Sequence, residues 1–82
     1  MGFQGAGQLP RTLADLKPGE TGVVALVSGE DALHHHLLDM GLTPGVRVLL
    51  QKTAPMGDPL ELRLRGYALT LRLEDARNIL LR

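Results

Sequence analysis

Three consecutive histidines, His34 to His36, are the residues of this 82-residue chain best suited to metal chemistry. Successive residues of an α-helix point about 100° apart, so three neighbouring rings spread around the axis and cannot converge on one ion. On the helix predicted here, His35 alone faces water squarely, and Asp39 follows it by one turn. An imidazole and a carboxylate at this spacing can share a divalent transition metal such as Fe²⁺ or Zn²⁺. The sequence therefore predicts a weak two-ligand site at His35 and Asp39.

The alternative for the same helix face needs no metal. Asp31 precedes His35 by one turn and Asp39 follows it by one turn, so both carboxylates can pair electrostatically with the ring in water. This solvated arrangement is the commoner outcome for charges on a helix surface. A metal site would need further ligands from water or from a second copy of the chain, as a symmetric homodimer would supply.

A second candidate surface is apolar. Leu38 and Leu42 lie away from the buried stripe predicted for the helix, and His34 lies beside them. An apolar rim next to a titratable ring suits the docking of another protein. The loop at residues 53–59, which contains two prolines, adds a further apolar side chain. We therefore predict partner-binding residues at His34, Leu38, Leu42 and Met56. The alternative is that Leu38 and Leu42 cover one end of the core.

Several arginines share the outward parity of neighbouring predicted strands, namely Arg47, Arg63, Arg65 and Arg72. Such a stripe can contact phosphate or an acidic partner. No aromatic residue interleaves with it to stack on bases, and a net charge of +0 removes bulk attraction to nucleic acid. The sequence therefore carries no strong nucleic-acid signal, and a solvated sheet face is the favoured interpretation.

The sequence lacks the motifs of catalysis. It has no cysteine, no serine placed beside a histidine base in a nucleophile motif, and no glycine-rich loop that leads from a strand into a helix. Its carboxylates are scattered over the polar faces. We therefore expect a binding module and not an enzyme.

One helix must position the histidines. Leu33, Leu37 and Met40 fall within about 60° of one another at helical spacing, which predicts a single buried stripe. Gly41 follows the last of them, at the position expected for a left-handed helix cap.

The other elements are predicted to be short strands. Residues 22–27 are a β-branched run with apolar residues at both parities, which predicts a strand buried on both faces. Ser28 or Asp31 is the expected N-cap of the helix that follows. Alternating apolar residues predict four further strands, at residues 46–51, 60–65, 67–73 and 78–82, with a 3₁₀-type turn at 74–77.

Short strands with one-sided apolar faces favour a closed core, because closure hides the sheet edges. We predict a mainly β fold, a small five-stranded SH3-like barrel with one short α-helix inserted after the first strand. An OB-type barrel is the alternative. Residues 1–11 are predicted to be a flexible tail, and residues 12–82 a single domain. No apolar run approaches the roughly 20 residues that span a bilayer, so we expect no direct membrane insertion. The absence of cysteine fits a cytoplasmic protein, which is the expected location.

Several segments resemble the FeoA family, the small cytoplasmic proteins of bacterial ferrous iron uptake. The most specific segment is LLDMGLTPG at residues 37–45. The other matching segments are LADLKPGE at 13–20, GVV at 22–24, PMGDP at 55–59 and RGYALTLR at 65–72. The resemblance extends over residues 12–82, which is nearly the whole chain.

This resemblance implies an SH3-like barrel that works beside FeoB, the membrane transporter with a cytoplasmic G-protein domain. The chain would then be an interaction module that binds or regulates the transporter at the inner face of the membrane. Transition-metal binding is commonly attributed to the family. The alternatives are a stand-alone regulatory barrel that binds nucleic acid or another protein, and a direct transition-metal binder.

Overall fold

The computed structural model describes residues 11–82. Its strands are β1 (Thr21–Val27), β2 (Arg47–Thr53), β3 (Leu60–Leu64), β4 (Tyr67–Leu71) and β5 (Ile79–Leu81). Helix α1 (Asp31–Asp39) connects β1 to β2, α2 (Leu73–Ala76) connects β4 to β5, and a 3₁₀ turn (Leu13–Asp15) precedes β1. All strand pairs are antiparallel, in the spatial order β4-β3-β2-β1-β5. The predicted five-stranded, mainly β architecture with a helix after the first strand is confirmed.

Strands β2 and β3 build the centre of the core by simple alternation, as predicted. Their buried positions are Val48, Leu50, Leu60, Leu62 and Leu64. The side chains between these positions point outwards, and Arg47 and Arg63 are exposed. Successive strand residues face opposite sides of the sheet, so apolar and charged residues are separated without any help from the loops.

Strand β1 differs from its prediction. Val24 and Val27 are buried, but Ala25 is exposed and the Leu26 side chain is 54% exposed. The register of β1 against β5 shifts between Val24 and Leu26, which marks a bulge. Because the extra residue changes the parity of the strand, two buried valines three residues apart both face the core. The prediction of burial on both faces was therefore wrong.

Helix α1 begins where predicted but with a different cap. Glu30 occupies the N-cap position, and its side chain makes no capping hydrogen bond. The Ser28 hydroxyl instead lies 3.2 Å from the Asn78 carbonyl oxygen, to which it donates. The expectation of Ser28 or Asp31 as N-cap was wrong. The buried stripe is confirmed, since Leu37 is buried and the flanking Leu33 and Met40 pack against the core.

The turn after α1 is held by a tyrosine from the β3–β4 hairpin. Gly41 has φ +101°, a conformation that residues with a Cβ rarely adopt. The Tyr67 hydroxyl donates a 2.6 Å hydrogen bond to the Met40 carbonyl oxygen and lies directly over Gly41. A Cβ at this position would collide with that hydroxyl. The predicted stop at Gly41 is confirmed, and the close approach of Tyr67 gives a second reason for glycine.

The described chain is fastened at its start. The Thr12 amide donates to Asp15 Oδ2 at 2.8 Å, and the Leu81 amide donates to the Arg11 carbonyl oxygen at 2.8 Å. Arg11 is thereby tied to β5, although the sequence placed it in a tail. The rest of that predicted flexible tail, residues 1–10, lies outside the described residues. Within residues 11–82, each helix is too short or too polar to cross a bilayer.

Candidate functional site

His34 is used partly inside the fold. The helix turns its half-buried ring towards β1, where Nδ1 lies 3.0 Å from the Val27 carbonyl oxygen. In the tautomer that carries hydrogen on Nδ1, this contact is a donated hydrogen bond to the backbone. The contact ties α1 to the end of β1. One ring nitrogen therefore has a structural partner, and only the remainder of the ring is open to another molecule.

The apolar rim predicted beside His34 is largely closed. Leu42 is 0% exposed and belongs to the main core, so its prediction as a partner-binding residue was wrong. Its amide donates to the Leu37 carbonyl oxygen at 3.2 Å, which folds the chain back under the helix after Gly41. Leu38 is half-buried and packs against the same core. The alternative interpretation, in which these leucines cover an end of the core, describes what the structure shows.

Met56 is the predicted partner-binding residue that the structure leaves most accessible. Its side chain is 90% exposed at the tip of the loop between β2 and β3. The base of this loop borders a hollow of about 290 Å³ that includes Lys52, Pro55 and Pro59. At about 3.3 Å per residue, β2 carries the loop about 20 Å away from the turn that follows α1. The structure therefore separates Met56 from His34 and Leu38.

The predicted metal pair stands alone. His35 and Asp39 are both exposed on α1 at a spacing of one turn. Within residues 11–82, no three histidine, aspartate, glutamate or cysteine side chains are placed to hold one ion. The first ten residues contain none of these four types. Two ligands fall short of the four that a closed transition-metal site uses, so the side chains of this chain do not fit a resident metal by themselves.

The predicted arginine stripe is divided by the structure. Arg47, Arg63 and Arg65 gather around one hollow on the outer face of the sheet. Arg72 does not line it, because it follows β4 and begins α2 at the opposite end of the β3–β4 hairpin from Arg65. Three of the four predicted residues therefore form one surface.

Asp58 has a structural role that the sequence reasoning missed. Its Oδ1 accepts a 2.9 Å hydrogen bond from the Leu73 amide, the first amide of α2. Side-chain capping of α2 therefore comes from the β2–β3 loop, because the local N-cap residue, Arg72, makes no such bond. Local spacing gives no signal of this contact, since the two residues lie on different connections. α2 is also one turn of α-helix where a 3₁₀-type turn was predicted.

Comparison with known proteins identifies relatives of the whole described region. The family model described as the FeoA domain matches residues 11–82. An Fe(2+) transport protein A/Fe(2+) transporter FeoB fusion protein from Porphyromonas gingivalis is 33% identical over 67 residues. That alignment covers 82% of this chain and 8% of the fusion protein, so the chain spans less than a tenth of that relative's length.

Solved structures agree with the fold. The NMR structure of a FeoA-like protein from Clostridium acetobutylicum superimposes with a TM-score of 0.83 at 33% identity, covering 92% of this chain and 87% of that one. Stenotrophomonas maltophilia FeoA complexed with zinc, described as a prokaryotic SH3 domain protein, gives a TM-score of 0.76 at 25% identity, covering 88% and 89%. These neighbours confirm the predicted SH3-like fold over the OB-type alternative.

Proposed function

Because the chain belongs to the FeoA family, which is associated with ferrous iron transport, we propose that it serves Fe²⁺ uptake by binding a FeoB-type transporter. The proposed contact is with the transporter's cytoplasmic G-protein domain, at the inner face of the membrane. In this role the chain acts by contact and not by catalysis.

The observation that carries this proposal is the Porphyromonas gingivalis relative. In that protein, a region similar to this chain and a FeoB transporter share one polypeptide. A covalent connection keeps two modules at high effective concentration, so that even a weak contact between them is populated. Between separate chains the same contact would need a higher affinity, and exposed apolar side chains are the groups that can supply it.

The geometry supplies such side chains outside the helix rim. The large hydrophobic residues exposed within residues 11–82 are Leu26, Met56 and Tyr67. Tyr67 is engaged with the Met40 carbonyl oxygen through its hydroxyl. Met56 is the most exposed of the three, and a flexible thioether adapts well to an irregular partner surface. We therefore assign the loop that carries Met56 as the main contact.

The experiment measures binding of the purified chain to the isolated G-protein domain of a FeoB-type transporter by calorimetry. We expect saturable binding by the wild-type chain and a loss of about tenfold or more in affinity for Met56→Asp, because a charge at the centre of an apolar contact must be desolvated. The matched control is Ala32→Asp, which adds the same charge at an exposed position in the first turn of α1. Aspartate is favoured there by the helix dipole, so the control keeps both fold and binding.

Two results would count against the proposal at different levels. Failure of the wild-type chain to bind the G-protein domain contradicts the proposed function. Equal binding by the wild-type chain and Met56→Asp contradicts only the assignment of the loop.

A further inference from the structure

Three arginines surround one shallow hollow on the outer face of the sheet. Arg47 comes from β2, and Arg63 and Arg65 come from β3 and the hairpin turn that follows it. The hollow has a volume of about 280 Å³, comparable to one or two amino-acid side chains. Its remaining lining consists of Thr21, Leu49, Leu64 and Gly66.

The strand register explains why these side chains meet. Leu49 lies opposite Arg63 in the pairing of β2 with β3, and opposite Thr21 in the pairing of β1 with β2. Arg47 precedes Leu49 by two residues on β2, so Arg47, Leu49 and Arg63 face the same side of the sheet. Arg65 borders the same hollow from the hairpin turn that follows β3. Directly opposed strand residues have Cβ atoms about 5 Å apart, and diagonal neighbours about 7–8 Å. Half-buried Leu49 is therefore the floor of a basic rim.

Within residues 11–82, no acidic side chain forms an ion pair with this rim. The hollow's lining contains neither aspartate nor glutamate. The ion pairs within residues 11–82 are Arg11 with Glu20 and Lys52 with Glu61, and neither involves these three arginines. Arg47 and Arg63 are diagonal neighbours on adjacent strands, and like charges at such a distance repel one another. An anion bound between the arginines would relieve that repulsion.

Arg65 supplies an independent observation. It has φ +51° and Gly66 has φ +85°, so both central residues of the two-residue hairpin turn have positive φ. Turns of this kind favour Asn-Gly, and a long side chain such as arginine is uncommon at the first position. Backbone strain of this kind is typical of residues whose side chain has a use. The guanidinium at this position borders the basic hollow.

We propose that the hollow binds an acidic segment of a partner protein. Guanidinium groups hold carboxylates by paired hydrogen bonds, and Leu49 receives an apolar side chain of the same segment. A nucleic acid is a poorer fit, because the lining offers no aromatic ring for a base and the chain has a net charge of +0. The proposal goes beyond the transporter contact proposed above and does not depend on it.

The test titrates four probes into the full chain by fluorescence anisotropy and NMR. The first probe is a labelled synthetic eight-residue peptide that alternates Glu and Leu. The others are the same peptide with Gln in place of Glu, an eight-nucleotide oligothymidine and inorganic phosphate. We expect saturable binding of the Glu peptide, with the largest amide shifts at residues 47–49 and 63–66. Affinity for it should fall as salt rises, because the contacts are exposed charge pairs.

Substitutions separate binding from folding. Arg63→Gln should weaken binding of the Glu peptide by about tenfold, a loss typical of one charge-assisted contact. Arg65→Asn should weaken it as well while raising the melting temperature by a few degrees, because asparagine adopts the turn conformation more readily. A purely structural Arg65 would not produce these opposite effects. Arg72→Gln is the matched control, since Arg72 is exposed but outside the hollow, and it should bind the peptide as the wild-type chain does.

Several results would overturn the proposal. They are no binding of the Glu peptide, equal binding of the Gln peptide, tighter binding of the oligothymidine, or unchanged affinity in Arg63→Gln. Binding of phosphate without the Glu peptide would also overturn it, because it would show an anion site that admits no protein segment.

Discussion

At the residue scale, the β3–β4 hairpin packs against the end of α1 at one glycine, Gly41. Gly41 lies in the turn that follows α1. The Tyr67 hydroxyl lies over this glycine and donates a hydrogen bond to the Met40 carbonyl oxygen. The positive φ of Gly41 and the closeness of the hydroxyl are separate reasons to exclude a Cβ. The glycine of the segment MGLTPG is therefore required both by the turn and by the packing of Tyr67 against it.

We predict that Gly41→Ala destabilises the fold by about 2–3 kcal/mol, from backbone strain plus the collision with the tyrosine hydroxyl. Tyr67→Phe should cost about 1 kcal/mol for the lost hydrogen bond. In the double variant the collision is relieved, so Gly41→Ala should cost less in the Tyr67→Phe background than in the wild type. Urea unfolding of the four proteins measures the coupling. Strictly additive effects would show that the collision with the hydroxyl contributes nothing to the cost of Gly41→Ala.

The histidine run also yields a residue-scale prediction. His35 and Asp39 provide two ligands, so Zn²⁺ should bind weakly and without saturation at equimolar metal. In calorimetry, His35→Ala should remove the heat of Zn²⁺ binding. His36→Ala, which removes another exposed ring from the same helix, should keep it. Equal heats from the wild-type chain and His35→Ala would contradict the predicted pair.

At the scale of elements, the β2–β3 loop supplies a cap for α2, because the pairing of Leu60 with Leu71 brings the end of the loop beside the start of the helix. Asp58 accepts from the Leu73 amide, which lies on a different connection. We predict that Asp58→Ala lowers stability by about 1 kcal/mol, as loss of a capping acceptor does. Asp58→Asn keeps an acceptor oxygen and should lose less. Chemical denaturation measures both, with Asp39→Ala as the control because Asp39 is exposed on α1. A loss equal to or smaller than the control's would exclude a capping role for Asp58.

The elements also show which features the sequence can predict. Strand β3 and residues 47–50 of β2 alternate, so parity alone assigns Val48 and Leu50 to the core and Arg47 to the surface. After Leu50 the register of β2 against β3 shifts, and Gln51 and Lys52 are both exposed. In strand β1, parity does not predict which residues are buried, because the bulge between Val24 and Leu26 changes the parity within the strand. A bulge depends on the pairing partner, and no local residue pattern announces it here.

The candidate surfaces were predicted less well for a related reason. Leu42 follows Gly41, and its direction depends on how far the chain turns at the glycine, which helical spacing does not determine. The three clustered arginines were predicted to share a face, but the register that gathers them around Leu49 and separates Arg72 is a property of strand pairing. Residue type indicated the chemistry, whereas long-range pairing decided which residues act together.

At the scale of the whole molecule, an aliphatic core and two separate surfaces share one small domain. Within residues 11–82 every buried side chain of the core is aliphatic, and none is polar or charged. Domains of this size retain only several kcal/mol of stability, so one unpaired charge in the core can remove most of it. Tests of function must therefore distinguish surface positions from core positions that resemble them in sequence.

We predict that Leu42→Asp abolishes cooperative folding, because burying an unpaired carboxylate costs several kcal/mol in addition to the lost apolar contact. Met56→Asp should leave the melting temperature within about 2 °C of the wild type, since its side chain is 90% exposed. Thermal unfolding followed by circular dichroism compares the two directly. A Leu42→Asp chain that melts like the wild type would contradict the burial of this leucine and would restore it as a contact residue. With Leu42 in the core, loss of partner binding in Leu42→Asp reports unfolding, and only variants such as Met56→Asp report the contact itself.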